Sequence, residues 1–150
     1  MAKLRHFCVV QERCESEVRD KLKNLGANTA EIEEAIEALK NTRFLDENRF
    51  VELYALSKLR QKYWGKNKIR QAMLLKHIDH TLVEKGIQSI DDEEYLQILD
   101  KLVEKKKQLL ATDNPKLDPE ASDDYAQKAK LINYLLAKGF EMELIWKAIG

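Results

Sequence analysis

Apolar residues in this chain recur in one pattern at three places. In each copy, two apolar residues four positions apart precede a turn, and further apolar residues follow it. The pattern that begins at Val18 returns 51 residues later at Ile69 and another 62 residues later at Leu131. The aligned sets are Val18, Leu22, Gly26, Ala27, Ile32 and Ile36; Ile69, Met73, His77, Ile78, Val83 and Ile87; and Leu131, Leu135, Gly139, Phe140, Ile145 and Ile149. Because apolar residues at i and i+4 form one stripe of a helix, the pattern predicts three helix–turn–helix units.

The residues between the stripes are typical of a helix end followed by a helix start. Gly26 and Gly139 fall where helices commonly end in a left-handed residue, whereas the middle copy has His77 there. If that position requires positive φ, His77 costs a few tenths to about 1 kcal/mol relative to glycine. The N-cap positions that follow hold Asn28, Asp79 and Glu141. Glutamate is the weakest capping residue of the three.

A second motif opens a long helix at two places. Residues 45–50 (LDENRF) match residues 90–95 (IDDEEY), each with an apolar residue, an Asp at the N-cap and a second apolar residue four positions beyond the Asp. The motif predicts helices over about 47–63 and 92–111, and a shorter equivalent over 3–13. We therefore predict three tandem three-helix repeats, over 1–43, 44–90 and 91–150, with one long loop at 112–121 that contains both prolines.

Composition supports an all-α fold and excludes several functions. Helix-forming residues dominate the chain, and no two of the five glycines form the cluster that a phosphate-binding loop requires. Cys8 and Cys14 suit neither a disulfide framework nor a zinc site, and we expect two reduced, partly buried thiols. No apolar run exceeds four residues, so we expect no membrane span and a cytoplasmic protein. Nothing indicates catalytic residues, a metal site or a cofactor, and we predict that the protein is not an enzyme.

Charge is balanced overall but unevenly distributed. The chain has 26 basic and 26 acidic residues; residues 1–43 carry 8 and 8, residues 44–90 carry 9 and 5, and residues 91–150 carry 9 and 13. Between Glu52 and Asp79 there is no acidic residue. This acid-free window holds seven cations, which we take as the candidate residues for binding nucleic acid or an acidic protein partner: Lys58, Arg60, Lys62, Lys66, Lys68, Arg70 and Lys76.

Two interpretations of this window compete. A run of charge on a helix is commonly a solvated face. However, Lys58 and Lys62 lie four residues apart, as do Lys66 and Arg70, and such like-charged pairs destabilise an isolated helix by a few tenths of a kcal/mol each. With no internal partner expected for them, they favour an external anion, either phosphate or an acidic protein surface. Tyr63 and Trp64, both within the window, could stack on bases, although we favour a buried or staple role.

Residues 43–79 contain two further motifs, which are Leu45-Asp46-Glu47 followed by Arg49-Phe50, and Trp64-Gly65 leading into Lys68-Ile69-Arg70-Gln71. Through these motifs the segment resembles the central repeat of the RecX family, bacterial regulators of the RecA recombinase. The segments CESEVRDKLKNLG and AKLINYLLAKGFEMELIWKAI resemble parts of the first and last repeats. The structural motif that we assign from this resemblance consists of Leu45, Asp46, Arg49, Phe50, Gly65 and Ile69. The sequence departs from the family at Lys66, where proline is common, and at His77, where glycine is common.

The resemblance implies an elongated, curved array of three three-helix repeats that acts on the RecA filament. Members of the family lodge in the filament groove, oppose its extension or promote its disassembly, and lower its ATPase and co-protease activities. The implied partners are the RecA filament and single-stranded DNA, with weaker binding to duplex DNA, and we expect a monomer. The alternative is a direct DNA-binding protein in which residues 65–83 act as a helix-turn-helix. We give it less weight because the basic residues are spread over two helices.

Overall fold

The chain is helical throughout the part described by the computed structural model, which comprises residues 2–113 and 124–150. The nine helices of these residues are α1 (Ala2–Val10), α2 (Glu15–Asn24), α3 (Thr29–Asn41), α4 (Glu47–Lys62), α5 (Lys66–Leu75), α6 (His80–Gln88), α7 (Asp92–Asp113), α8 (Asp124–Lys138) and α9 (Met142–Ile149). No strand occurs within the described residues. The prediction of an all-α helical repeat protein is therefore confirmed.

The helices divide into two compact units. Unit 1 comprises Met1–Leu56 and Arg70–Ser89, and unit 2 comprises Ser57–Ile69 and Ile90–Gly150. The boundary passes through α4 and α5, so the helices of the predicted middle repeat, 44–90, are shared between the units. The three repeat boundaries stay a prediction. Of the predicted loop at 112–121, the first two positions belong to α7 and the rest lies outside the described residues.

The core of unit 1 contains the apolar stripes that the repeat pattern identified. Val18 and Leu22 of α2 pack with Ile32 and Ile36 of α3, in a buried cluster that also includes Leu4 and Cys8 of α1. The equivalent stripe residues of α5 and α6 in the same unit are buried as well: Met73, Val83 and Ile87. Burial of these side chains is the main stabilising term for helices of about ten residues, which are marginal in isolation.

The core of unit 2 is built around two aromatic rings. Tyr95 of α7 and Phe140, just before α9, have ring centroids 5.4 Å apart and are no more than 1% exposed. Leu131 and Leu135 of α8 and Ile145 of α9 complete this core as the third repeat copy predicts.

The turn position has the predicted backbone conformation in all three copies. The φ angle is +87° at Gly26, +62° at His77 and +98° at Gly139. His77 therefore carries the left-handed strain that glycine avoids. Two non-glycine residues outside this pattern, Arg43 and Tyr63, also have positive φ, of +63° and +57°.

Four of the predicted N-caps form their hydrogen bonds. Asn28 Oδ1 accepts from the Glu31 N–H at 2.9 Å, and Asp79 accepts from the Thr81 N–H at 3.2 Å. Asp46 and Asp91 accept from the backbone N–H three residues on, at 3.2 and 3.0 Å. Glu141 forms no side-chain cap. Instead its carboxylate accepts a hydrogen bond from the Tyr95 hydroxyl, and so ties α9 to α7.

Two turns in unit 2 meet at a pair of glycines. The Gly65 N–H donates to the Lys138 carbonyl at 2.7 Å, and the Asn67 N–H donates to the Gly139 carbonyl at 2.9 Å. A Cβ atom on Gly65 would lie 2.3 Å from the carbonyl carbon of Gly139, which is closer than any real contact. Only a residue without a side chain allows the two backbones to approach this closely.

Both cysteines are free and buried. Cys8 lies in α1, and Cys14 precedes α2. Burial raises the pKa of each thiol. Both therefore stay protonated at neutral pH, as expected of structural thiols.

Candidate functional site

The acid-free window runs from α4 to the turn after α5, and its cations fall in both units. Lys58, Arg60, Lys62, Lys66 and Lys68 belong to unit 2, and Arg70 and Lys76 belong to unit 1. The two groups therefore have separate surroundings.

In unit 2 the window is organised around Trp64. The ammonium groups of Lys58 and Lys68 lie 5.2 and 4.8 Å from its ring, within the range of cation–π attraction. Lys62 is exposed at the end of α4. Tyr63 is 42% exposed and is therefore not buried, whereas Trp64 is half-buried. Lysines beside a partly exposed aromatic ring suit an anion that carries flat groups, such as a nucleic-acid strand.

Arg60 and Lys66, which also belong to unit 2, contact carboxylates of α7. Arg60 donates two hydrogen bonds to Glu94, at 2.6 and 3.0 Å. These hydrogen bonds lower the pKa of the Glu94 carboxyl. Lys66 Nζ lies 3.5 Å from Asp92 and 4.7 Å from the Tyr95 ring. The expectation that the like-charged pairs lack internal partners is therefore wrong for Lys66.

The same correction applies in unit 1. Arg70 of α5 donates to Glu84 of α6, with its shorter hydrogen bond at 2.6 Å. Lys76 donates to Glu17 of α2 at 3.4 Å and lies 5.8 Å from the Tyr54 ring. Both cations thus hold elements of unit 1 together. Lys58 and Lys68, which contact the Trp64 ring, and the exposed Lys62 are the window residues that we keep as the main candidates for an external anion.

The motif residues shared with the RecX resemblance have structural positions. Leu45, Phe50 and Ile69 are buried, with exposures of 2%, 3% and 0%. Arg49 forms an ion pair with Glu12 and donates to the Arg43 carbonyl at 3.1 Å. With the Asp46 cap and the close approach of Gly65, these contacts explain the motif by packing and backbone geometry.

A second basic surface of unit 2 was missed by the sequence analysis. A pocket of about 280 Å³ is lined by α7, α8 and the residue after α4, with three lysines and two tyrosines among its lining residues. We call it the lysine–tyrosine pocket; it is lined by Tyr63, Lys101, Leu102, Lys105, Lys106, Leu109 and Tyr134. The sequence indicates this surface only through the four-residue spacing of Lys101 and Lys105, which places both lysines on one face of a helix. The net negative charge of residues 91–150 conceals it.

The helix-turn-helix alternative gains no support from α6. A recognition helix contacts base edges through its N-terminal residues. The only lysine or arginine of α6 is Lys85 in its last turn, where Nζ donates to Asn48 at 3.1 Å. At the start of α6, the Asp79 carboxylate caps the helix by accepting a hydrogen bond from the Thr81 N–H.

Other classes of site have little basis in the described part of the chain. Within residues 2–113 and 124–150, no group of three or more His, Cys, Asp or Glu side chains could hold a metal ion. Among the same residues, no helix is both long enough and apolar enough to cross a membrane.

Comparison with known proteins connects the fold to one family. The model for the second three-helix domain of RecX matches residues 46–87, and the model for the third matches residues 115–149. The regulatory protein RecX of Acinetobacter baylyi is 32% identical over 139 residues, which cover 93% of this chain and 79% of that protein. The regulatory protein RecX of Clostridium perfringens strain 13 is 32% identical over 131 residues. This alignment covers 87% of the chain and only 58% of the clostridial protein.

Solved structures match the same fold. The crystal structure of RecX from Lactobacillus salivarius aligns with a TM-score of 0.77 and 23% identity, covering 99% of this chain and 93% of that one. A second crystal structure of a regulatory protein RecX aligns with a TM-score of 0.80 and 18% identity, covering 98% and 71%. At these identities the structural likeness concerns the fold alone.

Proposed function

The chain belongs to the RecX family of regulatory proteins, and on that premise we propose that it binds the RecA filament on single-stranded DNA and inhibits its extension. The consequence would be lower recombinase, ATPase and co-protease activity of the filament. The observation that carries this proposal is the 32% identity to the Acinetobacter baylyi regulatory protein over 79% of its length. In this role the chain acts in the cytoplasm as a monomer, without a cofactor or catalytic residues of its own.

The Trp64 surface supports binding to such a filament. A nucleoprotein filament offers phosphates and acidic side chains, and Lys58, Lys62 and Lys68 offer complementary charge at the junction of α4 and α5. Charge of this kind raises association rates and selects partners, and its effect falls as salt is added. We therefore expect inhibition to weaken at higher salt concentrations.

The direct test is the ATPase activity of RecA on single-stranded DNA with this protein titrated in. We expect the ATPase rate to fall with added protein until the filament sites are saturated. A rate that stays constant at a large excess of folded protein would refute the proposal.

A set of charge variants locates the surface. Lys58, Lys62 and Lys68 changed together to Gln should weaken inhibition, because the lysines beside Trp64 would lose their charge. The matched control changes three exposed lysines outside the window, Lys23, Lys130 and Lys147, to Gln. Equal inhibition by both triple variants would show that Lys58, Lys62 and Lys68 do not contact the filament.

Lys66 and Arg70 are left unchanged in this design for a structural reason. Charge reversal would place a carboxylate opposite Asp92 in one case and opposite Glu84 in the other. Such a variant would lose an ion pair and gain a repulsion, so a loss of inhibition could reflect altered packing. Neutralising the lysines around Trp64 avoids this ambiguity.

A further variant distinguishes the helix-turn-helix alternative. Lys85→Gln removes the only Lys or Arg charge of α6. We expect filament inhibition to be unchanged in this variant. A parallel loss of duplex affinity and inhibition would favour direct DNA binding through α6.

A further inference from the structure

We infer that the lysine–tyrosine pocket of unit 2 holds a segment of single-stranded nucleic acid, with an unpaired base against its tyrosines and the flanking phosphates on its lysines. This inference deepens the proposed function, on which its place in the filament rests. The nucleic-acid contact would then lie on α7 and α8, within the predicted repeat 91–150, whose net charge is negative.

The first argument is the convergence of charge. Lys101, Lys105 and Lys106 line the pocket from α7, and no acidic side chain is among the described residues that line it. Lys138 of α8 is not a lining residue, but its Nζ lies 5.9 Å from the Tyr134 ring and donates to the Lys62 carbonyl at 3.2 Å. Three lysines thus line one depression and a fourth lies near one of its tyrosines, and a basic groove of this kind can follow a phosphate backbone.

The second argument is the pair of tyrosines. Tyr63 is 42% exposed, and its φ of +57° is rare for an aromatic residue. Tyr134 is half-buried, and Lys106 Nζ lies 4.7 Å from its ring. An acidic protein segment would use the lysines alone, whereas bases also stack on aromatic rings, so the tyrosines favour nucleic acid.

The third argument is the size and lining of the depression. Its volume of about 280 Å³ is near the lower end of the range of pockets that hold small ligands. Leu102 and Leu109 supply an apolar part of the wall. A flat apolar group with an attached anion fits such a pocket, and a base in a duplex could not enter it without unpairing.

The test measures binding of fluorescent oligo(dT) to the full chain by anisotropy, beside an abasic oligonucleotide of the same length. Lys101→Gln with Lys105→Gln should weaken binding of both probes. The double variant should also lower the slope of log affinity against log salt by about 1.4, or about 0.7 per lost phosphate contact. The matched control is Lys107→Gln with Lys128→Gln, which removes two lysines that line a different depression of the same helices.

The tyrosines are tested by the difference between the two probes. Tyr134→Leu should weaken oligo(dT) binding about 5- to 150-fold, the range for loss of one stacked base, and leave abasic binding nearly unchanged. Tyr134→Phe should restore the preference for bases. Tyr63→Leu should also weaken oligo(dT) binding and leave abasic binding nearly unchanged, because Tyr63 is not part of the core. The control is Tyr125→Leu, since Tyr125 is 88% exposed on α8 outside the pocket.

Several outcomes would overturn the inference. One is equal binding of oligo(dT) by the pocket variants and their controls. Another is a loss confined to binding of RecA without DNA, which would assign the pocket to an acidic protein segment. Failure of the unaltered chain to inhibit the RecA ATPase would instead refute the proposed function, and the oligonucleotide measurements would still decide the pocket.

Discussion

Replacing Gly65 with alanine adds one methyl group at the closest backbone contact in unit 2. The φ of Gly65 is not in the left-handed region, so alanine has no conformational penalty there. The new Cβ would lie 2.3–2.4 Å from three backbone atoms of Gly139 and Phe140. No flexible side chain can move aside to relieve this contact, so the two turns must separate.

The expected loss of stability follows from the contacts that are broken when the two turns separate. The two hydrogen bonds from the Gly65 and Asn67 N–H groups contribute about 0.5–1.5 kcal/mol each. Overpacking of a close contact adds about 1–3 kcal/mol. We therefore expect Gly65→Ala to lower the free energy of unfolding by about 2–6 kcal/mol.

Gly26→Ala is the matched control, because it separates steric clash from backbone strain. Gly26 has a φ of +87° and no atom within 4 Å of an added Cβ. Its replacement should cost only the left-handed penalty, about 1–2 kcal/mol. Both variants would be compared by urea denaturation followed by circular dichroism. If Gly65→Ala is no more destabilising than Gly26→Ala, the close approach of the two turns is not a real constraint.

Two further substitutions and one spectroscopic measurement test other parts of the structure. Phe50→Ala should lower stability by about 3–5 kcal/mol, because the ring is 3% exposed and stacks on Tyr54 with centroids 5.3 Å apart; an unchanged denaturation midpoint would place the core elsewhere. Glu47→Gln should stabilise the protein at about pH 7 and not at about pH 3. Burial, and after it the nearby Glu15 charge, raises the pKa of Glu47. Ionisation of Glu47 therefore lowers the stability of the folded protein only as pH rises above the ordinary glutamate pKa. A gain in stability from Glu47→Gln that persists at the lower pH would contradict this. The far-ultraviolet circular dichroism spectrum should be dominated by helix, and a strand content near a quarter of the chain would contradict the repeat fold.

Local signals in the sequence predicted local structure well. The caps at Asn28, Asp46 and Asp79 depend on a backbone N–H two or three residues away, so sequence spacing contains the whole interaction. The positive φ at His77 was likewise predictable from its alignment with Gly26 and Gly139. Glu141 could not be predicted in this way, because its partner Tyr95 is 46 residues distant.

Charge was the less predictable property, because ion pairs form between distant segments. The acid-free window contains no carboxylate, yet Arg60 pairs with Glu94 and Arg70 with Glu84. The net charge of a predicted repeat likewise did not predict where its cations lie. Residues 91–150 are acidic in sum, but Lys101 and Lys105 lie one turn apart on α7 and reach the same pocket.

The buried thiols simplify site-specific labelling. Cys8 and Cys14 are 6% and 0% exposed and have raised pKa values, so few thiolates are present and reagents reach them poorly. A maleimide dye should therefore react selectively with a cysteine introduced at an exposed position, such as Tyr125 on α8. Fluorescence measurements on the filament could then use a protein that keeps both native cysteines.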